Sequence, residues 1–178
     1  MIGVINASPL IYLGKLGAFS LLTQLFHEIW TSQEVKQEVL SSESTPEKPV
    51  LQEAFSSWLK IYQIKDQSFL TRILDLQIHR GEASVIAIAK ELQDLKRDSI
   101  VIIDDLTARE IARTLNLPII GTIGVLLRSV KKKLLTPKDF RQKLNILIEE
   151  TDFRMSIKLY SQLLKEFEKI VGGEGNST

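Results

Sequence analysis

Short apolar runs alternate with helical patterns along most of the chain. The run Ile2–Ile5 predicts a first buried strand, and Ile100–Ile103, a β-branched run framed by charged residues, predicts the strongest one. Weaker strands are expected at Glu28–Thr31, Leu59–Ile64 and Leu117–Ile120. Because parallel strands are joined by crossover helices, this alternation predicts an α/β fold with a parallel sheet covered on both faces by helices.

The segments between these strands carry the spacing of apolar residues that is typical of helices. Ser8–Pro9 predicts an N-cap followed by proline at the first helical position, and Ser32 predicts the cap of a later helix. Gly81–Leu95 is apolar on nearly all sides, which predicts a helix packed centrally against the sheet. Further helices are expected at Ala18–Phe26, Leu51–Trp58, Ser68–Ile78, Asp105–Leu115, Thr136–Ile148 and Ser156–Ile170, and another begins near Gly121.

Length and composition favour one globular domain. A chain of 178 residues with 44% hydrophobic content can bury one core. No repeat or linker divides it, so we expect a single domain over residues 1–170. The segment 41–50, rich in Ser, Pro and Glu, predicts an exposed loop, and residues 171–178 predict a disordered tail.

Charge and residue content exclude several classes of protein. The net charge of +1 favours neither nucleic acid nor a membrane surface as a partner of the whole molecule. The absence of cysteine excludes disulfides and thiolate metal sites. The N-terminus lacks the pattern of a signal peptide, and no apolar run has the length of a transmembrane helix. We therefore expect a soluble, cytoplasmic protein without a membrane partner.

Polar side chains follow two of the predicted strands. Asn6 comes directly after the first strand, and Asp104 and Asp105 come directly after the strongest one. In open parallel sheets, ligands bind beyond the carboxyl ends of the strands, near the point where the strand order reverses. Helix capping would explain Asp105 by itself but leaves Asp104 without a role. The pattern therefore favours a site at this edge of the sheet.

Two glutamates are further candidates for this site. Glu82 follows Gly81 in the first turn of the apolar helix, where the helix dipole favours a carboxylate in any protein. Because that helix is apolar on nearly all sides, we expect Glu82 at the mouth of a buried helix. Glu38 is adjacent to the apolar stripe of Val35 and Val39, and on the residues alone a solvated role is the commoner one.

Other catalytic arrangements are absent from the sequence. His27 and His79 lack the spacing of a histidine-rich zinc site, and there is no nucleophile elbow, P-loop or dinucleotide fingerprint. The remaining oxygen-rich set suits Mg²⁺ or Mn²⁺, the ions commonly used for phosphodiester hydrolysis. Arg128 and Lys131–Lys133 could bind a phosphate backbone, although a solvated helix end is the commoner role for such residues.

Taken together, these segments resemble the PIN domain superfamily, and within it a VapC-like branch of short prokaryotic proteins. The resemblance implies a three-layer α/β/α sandwich with a mainly parallel sheet of four to five strands, followed by extra C-terminal helices. It also implies an endoribonuclease that depends on Mg²⁺ or Mn²⁺, with RNA as substrate and, in a toxin–antitoxin pair, a small antitoxin as partner. The blocks that carry it are "VINASPLIYLGKLG", "SQEVKQEVL", "GEASVIAIAKEL", "VIIDDLTAREIARTLNLPIIGTIGVLLRSVKKKLL" and "FRMSIKLYSQLLKE".

The resemblance also implies roles for individual residues. Asn6 occupies the position where active members of the superfamily carry aspartate. Its carbonyl oxygen can still bind a hard cation, but the amide brings no charge and attracts Mg²⁺ less. This departure supports a second hypothesis, a weak or inactive module that binds nucleic acid or a protein partner. The implied catalytic and metal residues are Asn6, Glu38, Glu82 and either Asp104 or Asp105, with Ser8 and Thr122 along the same edge. Arg128 and Lys131 are candidate substrate contacts on their charge alone.

The C-terminal helices allow a third interpretation, a homodimer. Their apolar positions would suit a contact with a second copy, and packing within the chain itself explains them equally well. These positions are Leu144, Ile148, Leu159, Leu163, Leu164 and Phe167.

Overall fold

The computed structural model describes residues 1–41 and 45–172 of the chain. These residues form two compact units, Met1–Thr122 and Ile123–Thr178, of which the second is described as far as Gly172. The single domain expected over residues 1–170 stays a prediction.

A five-stranded sheet forms the centre of the first unit. Its strands run in the order β3-β2-β1-β4-β5, and every neighbouring pair is parallel. The predicted parallel sheet is therefore confirmed. The strands are β1 (Ile2–Ile5), β2 (Glu28–Thr31), β3 (Leu59–Ile61), β4 (Ser99–Ile102) and β5 (Ile119–Ile120).

Helices cover the sheet in a three-layer α/β/α arrangement. Helix α6 packs against β1 and β4, and most of its residues are buried, as its apolar pattern predicts. No helix of the described residues is both long and apolar enough to cross a membrane. The helices of the first unit are α1 (Ala7–Lys15), α2 (Phe19–Leu25), α3 (Gln33–Ser41), α4 (Lys48–Ser57), α5 (Gln67–Leu74), α6 (Arg80–Asp94) and α7 (Leu106–Thr114); α8 (Thr122–Lys131) begins at its last residue, and α9 (Pro137–Glu149) and α10 (Ile157–Gly172) belong to the second unit.

The strand order reverses between β1 and β4. From β1 the chain proceeds to β2 on one side, whereas from β4 it proceeds to β5 on the other. The two strands are tied at their carboxyl ends, because the backbone N–H of Asn6 donates to the carbonyl of Ile102 at 3.0 Å. Asn6 and the residues after β4 therefore meet at the topological switch point, where ligands bind in folds of this type.

Several local boundaries differ from the sequence-based expectation: β3 and β5 are shorter than the expected strands, α5 ends earlier than the expected helix, and a cap, a loop and the tail differ as well. Helix α1 begins at Ala7 with the extended Asn6 as its N-cap, so the predicted cap at Ser8 is wrong and Ser8 lies in the first turn. Within the segment 41–50, residues 48–50 are already helical, and 42–44 lie outside the described residues. Val171 and Gly172 end α10, and the rest of the predicted tail, 173–178, lies outside the described residues.

The second unit contains the stacked rings of Phe140 on α9 and Phe167 on α10, with centroids 4.6 Å apart. This contact explains part of the apolar pattern of the C-terminal helices, because it lies within the chain. Homodimer formation stays a prediction. Of the six apolar positions, Leu144, Leu163 and Phe167 are buried, whereas Ile148, Leu159 and Leu164 are exposed.

Candidate metal site

Asn6 and Glu38 meet at Gly81. A Cβ atom built on Gly81 would lie 2.8 Å from Oε2 of Glu38 and 3.3 Å from Oδ1 of Asn6. The missing side chain at position 81 thus allows an amide from the end of β1 and a carboxylate from α3 to face the start of α6. Glu38, which the sequence alone placed on the solvated surface, lies at the exposed rim of this cluster.

The carbonyl oxygen of Asn6 has no hydrogen-bond partner in the described part of the chain. Asn6 is only 3% exposed, and a buried polar atom without a partner costs free energy of folding. Such an atom is rare in native proteins, and a bound ion is one of the explanations for it. We call the carboxyl groups of Glu38, Glu82 and Asp105 the acidic cluster. Because Oδ1 of Asn6 lies beside Gly81 and Glu38, the orphaned atom faces this cluster rather than the core.

Glu82 is the buried acid of the cluster, with 9% of its surface exposed. Its Oε2 accepts a hydrogen bond from the backbone N–H of His79 at 3.1 Å, which caps the start of α6. Burial raises the pKa of Glu82, the hydrogen bond from His79 opposes that rise, and the negative charges of Asp105 and Glu38 add to it. The like-charge effect indicates that Glu82 lies within electrostatic reach of both carboxylates.

The pKa of Glu38 is raised, like that of Glu82. Partial burial raises the pKa of its carboxyl group, and the charge of His79 opposes the rise. His79 is exposed at the start of α6, so the imidazole lies at the rim of the acidic cluster. A cation placed here would relieve the repulsion between the acids.

The two aspartates after β4 have different surroundings. Both carboxylate oxygens of Asp104 accept hydrogen bonds from Thr122, Oδ1 from the backbone N–H at 2.8 Å and Oδ2 from the hydroxyl at 2.6 Å. Burial raises the pKa of Asp104, opposed by these bonds and by the charge of Arg109. Asp105 is exposed, and its Oδ1 caps α7 by accepting from the N–H of Ala108 at 2.8 Å. Asp105 is the one whose charge acts on Glu82.

A buried pair of hydroxyl groups connects α3 and α6 beneath the cluster. Ser84 Oγ lies 2.6 Å from Ser32 Oγ and also donates to the carbonyl of Gly81 at 2.6 Å. Ser32 accepts from the N–H of Val35 at 3.1 Å, which confirms it as the cap of α3. The helices that carry Glu38 and Glu82 are thus joined by a hydrogen bond that is buried from solvent, between Ser84 on α6 and Ser32, the cap of α3.

The other residues expected at the site lie around it or in the second unit. Ser8 is half-buried in the first turn of α1, and Thr122 is fully buried against Asp104. Arg128 and Lys131 lie near the end of α8 within the second unit, and their contact with a substrate stays a prediction.

A protein-family model with the description "PIN domain" matches residues 2–169, nearly the whole chain. The chain belongs to the PIN domain family. A search among curated proteins finds no match. The family match confirms the resemblance to the PIN domain superfamily. It assigns the chain a nuclease-type fold of a kind that generally uses divalent metal ions and acts on RNA.

The donors of this PIN domain fit a hard divalent cation. They are oxygen atoms only, and one of them is the orphaned carbonyl of Asn6. No three His, Cys, Asp or Glu side chains within residues 1–41 and 45–172 form a group able to hold a metal ion by themselves. The fit therefore rests on the oxygen chemistry of these side chains together with the orphaned carbonyl of Asn6, and water would fill further positions of a bound ion, as Mg²⁺ commonly retains several waters.

Sequence reasoning missed several residues that shape the site. His79 directly precedes the helix that carries Glu82, a position that was a usable signal of its role at the helix start. Gly81 is next to Glu82, but the residues that approach it, Glu38 and Asn6, are distant in sequence and leave no local signal. Arg109 lies four residues after Asp105, one helical turn, and that spacing was a usable signal. The contact between Ser32 and Ser84 joins residues distant in sequence and left no local signal.

The raised pKa of Glu82 predicts a pH effect on stability. At pH values above 4.5, the ordinary pKa of a glutamate side chain, Glu82 loses its proton in the unfolded chain but retains it in the folded protein. The free energy of unfolding contributed by this group therefore falls as pH rises, by at most about 1.4 kcal/mol per pH unit. Urea unfolding in EDTA, compared between wild type and Glu82→Gln, is expected to show wild type losing stability relative to the variant with rising pH. A constant difference would contradict the prediction.

Proposed function

We propose that this PIN domain is a Mg²⁺- or Mn²⁺-dependent endoribonuclease whose cation is held by Asn6, Glu38, Glu82 and Asp105. The observation that carries the proposal is the buried carbonyl oxygen of Asn6, which lacks a partner in the described residues and faces the acidic cluster. This oxygen atom lies at the topological switch point of a nuclease-type fold.

Each residue has a separate part in this proposal. Glu82, fixed by the N–H of His79, supplies the buried negative charge, and Asp105 supplies charge from the loop after β4, at the same edge of the sheet as Asn6. Glu38 closes the site from the rim, and Asn6 contributes a neutral oxygen. A bound divalent ion would supply a Lewis acid that activates water and polarises the phosphate. Asp104, whose two oxygens are already bonded to Thr122, is not among the proposed ligands.

The test is cleavage of a structured RNA by the purified protein in Mn²⁺, with EDTA as the metal-free control. The proposal predicts cleavage that begins with Mn²⁺, stops with EDTA and is lost in Asp105→Asn. Absence of cleavage, or cleavage that Asp105→Asn retains, would reject it.

A second candidate function is a PIN module that binds RNA or a protein partner without cleaving. The specific observation in its favour is the amide at position 6, which leaves the cluster one negative charge short of an aspartate-bearing site. Calorimetry separates the two candidates. Mn²⁺ binding weaker than about millimolar in wild type, which Asn6→Asp tightens, favours the non-cleaving module.

Two narrower roles belong to the same proposal. As the toxin of a toxin–antitoxin pair, the protein would pair with a small antitoxin in the cytoplasm, and its induced expression would arrest growth only when Glu82 is intact.

Assembly as a homodimer would use the exposed apolar residues of α10, such as Leu159 and Leu164. Light scattering of the purified chain measures that directly.

A further inference from the structure

Asp104 lies in a polar arrangement built from three separate segments. Thr122, at the start of α8, donates to both of its carboxylate oxygens. Arg109, on α7, attracts it by charge. We call Asp104, Arg109 and Thr122 together the Asp104 clamp.

The side chain of Arg109 also binds the backbone just before Asp104. Its Nη1 donates to the carbonyl of Ile103 at 2.9 Å, whereas its backbone N–H makes the first intrahelical bond of α7, to the carbonyl of the N-cap Asp105 at 3.0 Å. A guanidinium group has a planar, rigid set of donors, so one side chain can restrain a short segment of backbone in a fixed geometry. The Arg109 side chain therefore ties the residue before Asp104 to α7, the helix that Asp105 caps.

The clamp is tight at Gly121. A Cβ atom at this position would lie 2.7 Å from Oδ1 of Asp104 and 2.9 Å from Nη1 of Arg109. The absence of a side chain at 121 thus lets the carboxylate, the guanidinium and the N-terminus of α8 approach one another. This crowding leaves Asp104 little freedom to turn toward the acidic cluster.

We propose that Arg109 and Thr122 are positioning residues, which fix Asp104 and thereby hold the carboxylate of Asp105 in its place at the start of α7. Asp105 is restrained on both sides, by the clamp before it and by its capping bond to the N–H of Ala108 after it. This inference rests on the proposed function in assigning Asp105 to the cation. Its structural part, the restraint of the turn, does not depend on that assignment.

The main test replaces Arg109 by Met, which keeps the length and the helix propensity of the side chain but removes the donors and the charge. Calorimetry with Mn²⁺ well below the unfolding temperature is expected to show affinity about tenfold weaker, as for other residues that orient metal ligands. Hydrogen exchange of the Ala108 amide is expected to accelerate, because its acceptor on Asp105 is released. Arg113→Met is the matched control, since Arg113 is exposed on the same helix and pairs with Glu110.

A second pair of variants covers the case in which Arg109→Met does not fold. Thr122→Val keeps the shape and the backbone N–H but removes the hydroxyl that donates to Asp104, and Thr122→Ser restores a hydroxyl. The proposal predicts weaker Mn²⁺ binding and faster Ala108 exchange in the valine variant, with recovery in the serine variant.

The outcomes separate this inference from the proposed function. Unchanged Mn²⁺ affinity and unchanged Ala108 exchange in both Arg109→Met and Thr122→Val would overturn the clamp. If wild type binds no Mn²⁺, the proposed function fails, and Ala108 exchange alone then decides the clamp. A lower unfolding temperature with both readouts unchanged would show that the clamp only stabilises the fold.

Discussion

Glu82→Gln is expected to reduce Mn²⁺-dependent RNA cleavage by at least about a hundredfold, because it removes the buried negative charge that attracts the cation. Gln is nearly isosteric, and its carbonyl oxygen can still accept the hydrogen bond from the N–H of His79, which caps α6 in the wild type. The fold and the helix start should therefore persist. Initial cleavage rates on one structured RNA, at saturating Mn²⁺ and at a tenfold lower concentration, measure the effect.

The matched control for this change is Glu53→Gln. Glu53 is an exposed glutamate on α4, so the substitution removes the same charge away from the acidic cluster and should leave cleavage unchanged. Equal losses in the two variants would indicate an effect of net charge on RNA binding rather than a role of Glu82 at the cation. Retained activity in Glu82→Gln would remove Glu82 from the proposed mechanism.

Asn6→Asp is expected to change stability and metal binding in opposite directions. Without metal, a buried aspartate beside Glu38 is an uncompensated charge, and the free energy of unfolding should fall by about 3 kcal/mol. With Mn²⁺, the new charge should tighten binding by at least about tenfold, because a unit charge near a cation contributes a few kcal/mol even at an effective dielectric constant of 20. Urea unfolding in EDTA and calorimetry with Mn²⁺ measure the two quantities.

Asn145→Asp adds the same charge on the exposed surface of α9 and should change neither quantity measurably. A variant Asn6→Asp that is as stable as wild type in EDTA would contradict the burial of an isolated charge. If Mn²⁺ affinity does not rise, the amide oxygen of Asn6 does not face the cation. A large gain in cleavage by Asn6→Asp would show that the amide limits the wild-type activity.

The strands of the sheet could be predicted from sequence because the residues that specify each strand are neighbours along the chain. Ile2–Ile5 and Glu28–Thr31 have the predicted bounds, and the strongest strand differs by one residue, as Ser99–Ile102. A buried parallel strand is a short apolar run that ends at a polar residue, and both features lie within a few positions. The start of α1 was harder to predict, because Asn6 and Ser8 are both residues that favour an N-cap.

The details of the site depend on contacts between distant residues. The sequence places Asp104 and Asp105 side by side and does not distinguish them. The distinction is made by Thr122, 18 positions away, whose N–H and hydroxyl bind Asp104. Likewise, Glu38 resembles a surface residue until Gly81, on another helix, brings it beside Asn6. Local patterns cannot encode such approaches.

The proposed ligands come from four separate segments of the first unit, from the end of β1 at Asn6 to the start of α7 at Asp105. Such a set of oxygen atoms exists only in the folded chain, so the unfolded chain has no comparable affinity for a cation. Free cation at a hundred times its dissociation constant would therefore add about 2.7 kcal/mol to the folding free energy. Where proteases cleave the unfolded state, the cellular lifetime of this chain would then follow the concentration of free divalent ion.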